Sequence, residues 1–272
     1  YGAALAMFIP AAFGFIFYPG ATKSSRLLAL ILSAILIVGI IFSYGRAAWI
    51  SIIVAFIVFI LILLRIKFYI IAATFMLFVG TFFIFQHQIL DKLSKNKQDS
   101  SANFVEHIQS ITNISSDASN LERINRWQAA IRLYNERPFL GWGPGTYQFV
   151  YSPFQSSQEK TIISTNLGDK GNAHSEYLGP LSEMGVLGSA LIILLIVYFI
   201  ITGLRVYKNG TNEIKFLCMI TLLGLITYFT HGFLNNFLDT DKLSVPVWGF
   251  IAIIVALDIY HKPKDNPSSI DG

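Results

Sequence analysis

The sequence predicts an all-α fold: a polytopic bundle of transmembrane helices with a large extracytoplasmic loop that contains an amphipathic helix. Hydrophobic residues make up 54% of the 272 residues and charged residues only 13%, whereas soluble domains are about a quarter charged. Mean hydropathy is +0.57. Several apolar stretches also approach the roughly 20 residues that a helix needs to cross a bilayer.

The composition excludes several other classes. A disordered chain, an ordinary water-soluble enzyme and a nucleic-acid-binding module suggested by the pI of 9.1 do not fit so apolar a sequence. Cys218 is the single cysteine, so the sequence offers no disulfide framework and no cysteine-based metal site. The chain begins at Tyr1, inside a hydrophobic stretch, and we interpret it as a piece of a longer protein.

The predicted elements follow in order along the chain. Residues 1–85 hold four spans, 86–175 form the polar loop, 176–262 hold three spans and 263–272 form a tail. The spans are expected at 3–18, 27–44, 47–64, 68–85, 184–204, 215–234 and 245–260. The first of them is short for a full crossing.

Lysine and arginine residues predict the orientation. They gather in alternate connections and in the tail, at Lys23, Arg26, Arg65, Lys67, Arg205, Lys208, Lys215, Lys262 and Lys264. Because such residues favour the cytoplasmic side, these connections are expected in the cytoplasm. The loop 86–175 is therefore expected on the outer face.

Within the loop, an amphipathic helix is expected at 119–137. Ser119 and Glu122 have the spacing of a capping box, and Pro138 disfavours helix in the residue before it. An apolar stripe recurs at three- and four-residue steps, formed by Trp127, Ala130, Ile131 and Tyr134. The helix is expected to lie on the membrane surface or across the mouth of the bundle.

Three alternating glycines follow this helix: Gly141, Gly143 and Gly145. They lie between a helix and a loop, without a preceding strand, so they are not a dinucleotide-binding fingerprint. They predict a tight turn. Two interpretations stay open, a turn that only ends the helix and a turn that lines a ligand site.

Candidates for chemistry lie at the predicted outer boundary. Arg46, between spans two and three, either snorkels to the headgroups or binds a phosphate. Arg123 and Arg126 share one helical turn and are either solvated or part of an anion site. His174, at the entrance to the fifth span, is either structural or a general base. The sequence contains no metal-ligand cluster, nucleophile motif or P-loop.

With these residues, the sequence resembles the O-antigen ligase and polymerase family of bacterial membrane proteins over about residues 27–260. The matching pieces are Ser-x-Gly-Arg46-x-x-Trp49, Arg123-x-x-x-Trp127, Pro138-x-x-Gly141-x-Gly143-x-Gly145, and Ala173-His174-Ser-Glu-Tyr-Leu178 followed by Glu183-x-Gly185-x-x-Gly188. The family usually has Asn where Ser175 stands. Its members usually have four or five earlier spans, which are expected to precede this sequence.

The resemblance implies a glycosyltransferase at the outer face of the bacterial cytoplasmic membrane. Family members move a glycan from undecaprenyl diphosphate to an acceptor hydroxyl on a lipid or glycan, with inversion, no metal and no cofactor. Expected partners are this donor, the acceptor, membrane lipids and a candidate chain-length regulator, with no nucleic acid.

The resemblance also implies roles for single residues. Arg46 and Arg123 correspond to the diphosphate-binding arginines, with Arg126 in reserve, and His174 corresponds to the base. Supporting roles fall to Trp127, Gly141, Gly143, Gly145 and Tyr177, the last because it would share a helix face with His174. Glu183 is expected to pack between helices.

A flippase or transporter of the same lipid-linked sugars is the alternative. A transporter would place charged or interrupted helices near the bilayer midplane, whereas these charges gather at the outer face, which favours catalysis. A scaffold that binds the diphosphate without catalysis ranks last. Ligase and polymerase share every motif, so the sugar and the acceptor stay open.

Overall fold

The computed structural model describes residues 1–66, 118–156 and 171–261. These residues form eight α-helices and one short 3-10 helix, and no strand is present among them. The α-helices are α1 (Gly2–Ile16), α2 (Lys23–Phe42), α3 (Arg46–Leu63), α4 (Ala118–Glu136), α5 (Tyr147–Val150), α6 (Leu178–Asn209), α7 (Asn212–His231) and α8 (Asp241–Tyr260). The predicted all-α class is confirmed.

Five of the described helices, α2, α3, α6, α7 and α8, are long and apolar enough to cross a membrane. α1 is apolar but has 15 residues, about 22 Å against the roughly 30 Å of a hydrocarbon core. The predicted span 68–85 lies outside the described residues. The protein is a multi-pass helical membrane protein, and the side that each connection faces stays a prediction.

The chain divides into two compact units. The first contains Tyr1–Phe56, Ala190–His231 and Phe237–Gly272, and the second contains Ile57–Ser189 and Gly232–Asn236. The candidate residues of the predicted loop belong to the second unit, and Arg46 belongs to the first.

In the first unit, α7 is the most buried of the membrane-spanning helices that the structure describes, with 67% of an apolar 18-residue stretch buried inside the protein. α1 packs against α2 and α7, and α8 packs against α7. Glycine permits this close packing, because a methyl group added at Gly224 would meet the ring of Phe250 and the carbonyl of Met7. The outer side of α2 is apolar, with Ile35 61% exposed, as a lipid-facing surface requires.

The second unit is built around α4. Its buried face repeats at three- and four-residue steps, at Glu122, Asn125, Arg126, Ala129, Ala130 and Leu133. Ala130 and Leu133 pack in one core with Tyr147, Tyr151 and Ala173. This core holds the residues before α6 against α4.

The observed buried face differs from the predicted apolar stripe. Ala130 belongs to both, but Ile131 is 40% exposed, and Trp127 and Tyr134 are half-buried. The buried face therefore does not coincide with the apolar stripe, and it includes polar residues that are buried with their partners. That the stripe faces the membrane stays a prediction.

The predicted N-cap of this helix is wrong. α4 begins at Ala118, so Ser119 lies inside the helix. Glu122 forms a salt bridge of 2.8 Å with Arg126, one turn further on. The helix ends at Glu136, one residue before the predicted end.

Candidate active site

His174 lies in an irregular segment that leads into α6. Its φ is +48°, in the left-handed region that residues other than glycine rarely adopt. Its backbone N–H donates to Oδ1 of Asn172 over 3.2 Å. Its carbonyl oxygen accepts from Nε1 of Trp127 over 3.3 Å. The tryptophan that the sequence nominated as a supporting residue thus ties the backbone of His174 to α4.

Ser175 separates His174 from the helix that follows. Its buried Oγ accepts from the backbone N–H groups of Tyr177 and Leu178, each over 3.3 Å. This is the geometry of an N-cap, for which Ser and Asn are both strongly preferred. Serine can therefore supply here the capping oxygen that Asn would also supply.

Tyr177 does not share a helix face with His174, so that prediction was wrong. His174 precedes the cap and has a left-handed backbone, which removes the helical register between the two residues. The ring of Tyr177 stacks on Phe233, with centroids 4.3 Å apart. Burial, with a smaller contribution from the Glu176 carboxylate, raises the pKa of Tyr177 to about 12.

Arg126 is part of the packing of the second unit. Its side chain is only 8% exposed and pairs with Glu122. Its Nη1 donates to the carbonyl of Asn172 over 3.4 Å, and its guanidinium lies 4.8 Å from the ring centroid of Tyr151. A methyl group added at Gly171 would collide with this guanidinium. Arg126 therefore joins α4 to the segment that carries His174.

Arg123 and Arg126 both act electrostatically on His174. Burial, then the positive charges of Arg126 and Arg123, lower the pKa of His174 from 6.5 to about 4, although Glu122 acts in the opposite direction. The imidazole is therefore neutral at pH 7, and one of its ring nitrogens can accept a proton. The second unit thus brings together His174, Trp127 and two of the three predicted arginines.

The predicted tight turn is present and is fastened to α6. Gly141, Gly143 and Gly145 have φ values of +66°, +109° and +73°, which glycine adopts without strain. The N–H of Trp142 donates to the carbonyl of Ser182 over 3.2 Å, and that of Gly143 to the carbonyl of Glu183 over 2.7 Å.

Glu183 has a role that the sequence analysis missed. Instead of packing between helices, its carboxylate accepts from the N–H groups of Gly145 and Tyr147, each over 2.9 Å. Tyr147 in turn donates its hydroxyl to the carbonyl of Arg126 over 2.8 Å. The available signal was the Glu183-x-Gly185 pair of the matching motif. Glu183 connects the turn to both α4 and α6.

Arg46 lies in the first unit, as the first residue of α3. The turn before it is tight, with Tyr44 at φ +47°, and Nε1 of Trp49 donates to the carbonyl of Ile40 over 3.2 Å. A positive charge at a helix N-terminus opposes the helix dipole, so an anion there would be stabilising. The joint action of Arg46 with His174 stays a prediction.

The described ranges contain no group of three His, Cys, Asp or Glu side chains placed to hold a metal ion. Among the described residues of the second unit, the chemistry on offer is that of an imidazole with a lowered pKa near guanidinium groups. Such a set can accept a proton and stabilise an anion.

The fold and this arrangement define a multi-pass helical membrane protein with a compact polar unit that holds a neutral histidine near arginines. A family model described as O-antigen ligase matches residues 28–193, and no curated protein matches the chain. The model covers more than half of the sequence, and the chain belongs to the O-antigen ligase family. The family supports a glycosyltransferase of the O-antigen ligase type, with a lipid-linked glycan donor and an acceptor.

Proposed function

We propose that the protein transfers a glycan from undecaprenyl diphosphate to an acceptor hydroxyl, without a metal ion, at the outer face of the bacterial cytoplasmic membrane. The observation that carries this proposal is the position of His174: its strained backbone is held by Trp127, and its segment is joined by Arg126 to the helix that also carries Arg123. Burial and the charges of Arg126 and Arg123 lower the pKa of His174, which favours the neutral imidazole that a base requires. A base and cations are the two things that this transfer requires.

In the proposed step, His174 accepts the proton of the acceptor hydroxyl while that oxygen forms a bond to the anomeric carbon. The bond from this carbon to the phosphate oxygen breaks, and its electron pair leaves with the diphosphate. Arg123 and Arg46 bind the diphosphate and stabilise its growing negative charge. Attack from the side opposite the leaving group inverts the anomeric carbon.

The low pKa of His174 is consistent with an anion-binding site that has not yet bound its anion. The arginine charges help to hold the pKa of His174 near 4. A bound diphosphate opposes these charges and raises the pKa, so that His174 becomes a stronger base once the donor is in place. Following the motif correspondence, we assign the primary contact to Arg123, and we keep Arg126, whose guanidinium pairs with Glu122, in reserve.

The remaining candidates support this arrangement. Trp127 holds the backbone of His174. The turn with Gly141, Gly143 and Gly145 fixes the start of α6 through Glu183. Tyr177 anchors the same end of α6 by stacking on Phe233. The chain-length regulator stays a candidate partner.

The alternative function, a flippase or transporter, gains only partial support from the interruption of α6. The helix is broken at Gly185, where φ is +64° and ψ is −168°. Interrupted helices are typical of transporters when they lie near the midplane. Here the break at Gly185 comes directly before the uncharged run 186–204, so it lies at one end of the apolar span and not in its middle. This position agrees better with catalysis at the membrane boundary.

The test is transfer by the full-length protein from purified undecaprenyl-diphosphate glycan in EDTA. His174→Ala should lose at least about 100-fold in transfer rate while keeping donor binding, because a general base contributes about 10²–10⁴-fold. Arg123→Gln should weaken donor binding. Gln128→Ala, at an exposed position on α4, is the matched control and should change neither.

Undiminished transfer by His174→Ala would overturn the base assignment. Wild-type activity that disappears in EDTA and returns with a divalent cation would overturn metal independence. Movement of the donor across the membrane without transfer would instead support the transporter.

A further inference from the structure

The turn after α4 carries two neighbouring apolar side chains that the second unit leaves uncovered. Phe139 is 69% exposed and Leu140 is 75% exposed. Their backbone is closely packed, because a methyl group added at Gly185 would overlap the carbonyl of Phe139. The backbone of this turn is therefore held in place while its two large apolar side chains stay exposed.

The level of this turn along the apolar part of α6 follows from a backbone hydrogen bond between the two. The N–H of Val186 donates to the carbonyl of Pro138 over 2.8 Å. Val186 follows the break at Gly185, and a helix that restarts there lacks intrahelical acceptors for its first N–H groups. The uncharged run 186–204 begins at Val186 and is about 28 Å long as a helix, close to the thickness of a hydrocarbon core. The carbonyl of Pro138 thus bonds to the residue at which the apolar part of the span begins.

The side chains near the start of the apolar run are of the types found where a membrane protein passes from lipid to water. Val186 is 39% and Leu187 is 55% exposed, so the start of the span presents apolar side chains at the protein surface. In the sequence, Arg137 and Trp142 flank the apolar pair, and the guanidinium of Arg137 lies 4.0 Å from the ring centroid of Trp142. Tryptophan is enriched at this boundary, and arginine extends from it to the headgroups.

We propose that Phe139 and Leu140 form a membrane anchor, inserting among the acyl chains of bilayer lipids at the level of Val186. The turn holds the second unit, and with it the His174 segment, against the membrane. The partner is the lipid bilayer, and the argument rests on the membrane span of α6 and not on the proposed transferase activity.

The test places a nitroxide label at each position of the full-length protein, in vesicles of phosphatidylethanolamine and phosphatidylglycerol. Cys218 is the single cysteine and is buried, so the wild-type protein reports the background labelling. The test variants are Phe139→Cys and Leu140→Cys. Leu187→Cys is the lipid reference, and Glu136→Cys, exposed at the end of α4, is the aqueous reference.

Collision rates with oxygen, which concentrates in lipid, and with a water-soluble nickel chelate give the depth. The oxygen-to-nickel ratio at positions 139 and 140 should match that at 187 and exceed that at 136 several-fold. Ratios equal to the one at 136 would place the turn in water. Low collision rates with both reagents would show that protein covers the pair. Either of these results overturns the anchor.

Discussion

The glycine turn and the His174 segment both contain left-handed backbone, but they sustain it differently. Gly141 has a φ of +66°, at no steric cost. His174 has a φ of +48° and carries a side chain, which costs about 1–2 kcal/mol. The turn is fastened to α6 by backbone bonds and by the Glu183 carboxylate, whereas the backbone of His174 is held by the side chains of Asn172 and Trp127.

The difference indicates what each region is for. In the turn, glycine lets the backbone approach α6, and the glycine positions themselves contribute no side chain. At position 174, a strained conformation is kept with an imidazole in place, and surrounding groups hold it there. Strain that persists at a residue other than glycine is common at functional sites, and this supports a functional role for the imidazole itself.

The largest expected effect comes from breaking the support of the His174 segment at Glu122. Glu122→Gln leaves Arg126 charged, buried and without its carboxylate, so the free energy of unfolding should fall by about 3–5 kcal/mol. Unfolding of the full-length protein in detergent, followed by tryptophan fluorescence, measures this loss.

Asp258→Asn is the matched control for that experiment. It removes a salt bridge of 2.9 Å to Arg205, whose side chain is 52% exposed. An exposed pair contributes about 1 kcal/mol or less. Equal losses in the two variants would contradict the view that Arg126 depends on Glu122 in a desolvated site.

The next effect tests the turn. Gly141→Ala adds a methyl group that overlaps the backbone of Glu183, and the residue must also adopt a positive φ. We expect a loss of more than about 2 kcal/mol in unfolding free energy. Gly145→Ala is the control, because its φ is +73° but no atom lies near the added methyl. It should lose only about 1 kcal/mol, from backbone strain, and an equal loss at both sites would exclude close contact with Glu183.

The pH dependence of stability tests the surroundings of His174. Its pKa is about 4 in the folded protein and about 6.5 when unfolded, so the unfolded state binds more protons between these values. The contribution is present above pH 6.5 and is lost as the pH falls towards 4, by at most about 3 kcal/mol. Unfolding free energies from pH 7.5 to 4.5 should fall more steeply for the wild type than for His174→Gln.

The difference between these two profiles isolates the histidine, because carboxylates titrate in both proteins. Burial lowers the pKa of His174 most, and Arg126, Arg123 and Glu122 are the charged groups of α4 that shift it further. Parallel profiles would mean that His174 titrates near its ordinary pKa and is not buried among these charges.

The spans could be predicted from sequence because a bilayer admits few alternatives to an apolar helix. The face of α4 could not be, because Glu122, Asn125 and Arg126 are polar yet buried. Apolar periodicity does not report polar residues that are buried with a partner. The salt bridge between Glu122 and Arg126 becomes visible only when their burial is known.

The candidate site was predictable in its residues and less so in its contacts. His174 and Trp127 were found through motifs, but the bond between them joins positions 47 residues apart. Glu183 lies 38 residues from Gly145, and its carboxylate accepts a hydrogen bond from the N–H of Gly145. The register of Tyr177 failed because a left-handed φ at His174 and a cap at Ser175 leave no helical periodicity to read.

The smallest effect separates strain from chemistry at His174. His174→Gly and His174→Ala should both lose transfer, yet the glycine variant should be the more stable by about 0.5–1 kcal/mol. Glycine adopts φ +48° without the strain of about 1–2 kcal/mol, and its greater freedom in the unfolded chain offsets about 0.5–1 kcal/mol of that gain. The two unfolding free energies are compared at pH 7.5, where the histidine of the wild type is neutral in both states.

The control for this comparison is Gln128, an exposed residue inside α4. There Gln128→Gly should be less stable than Gln128→Ala by about 1 kcal/mol, since glycine disfavours helix. The order of the glycine and alanine variants should therefore reverse between positions 128 and 174. If glycine is the less stable variant at both, His174 is not held in a strained conformation. Backbone strain would then no longer distinguish His174 from Gly141. The proposed role of His174 as a base would depend only on the neighbouring arginine charges and on the transfer assay.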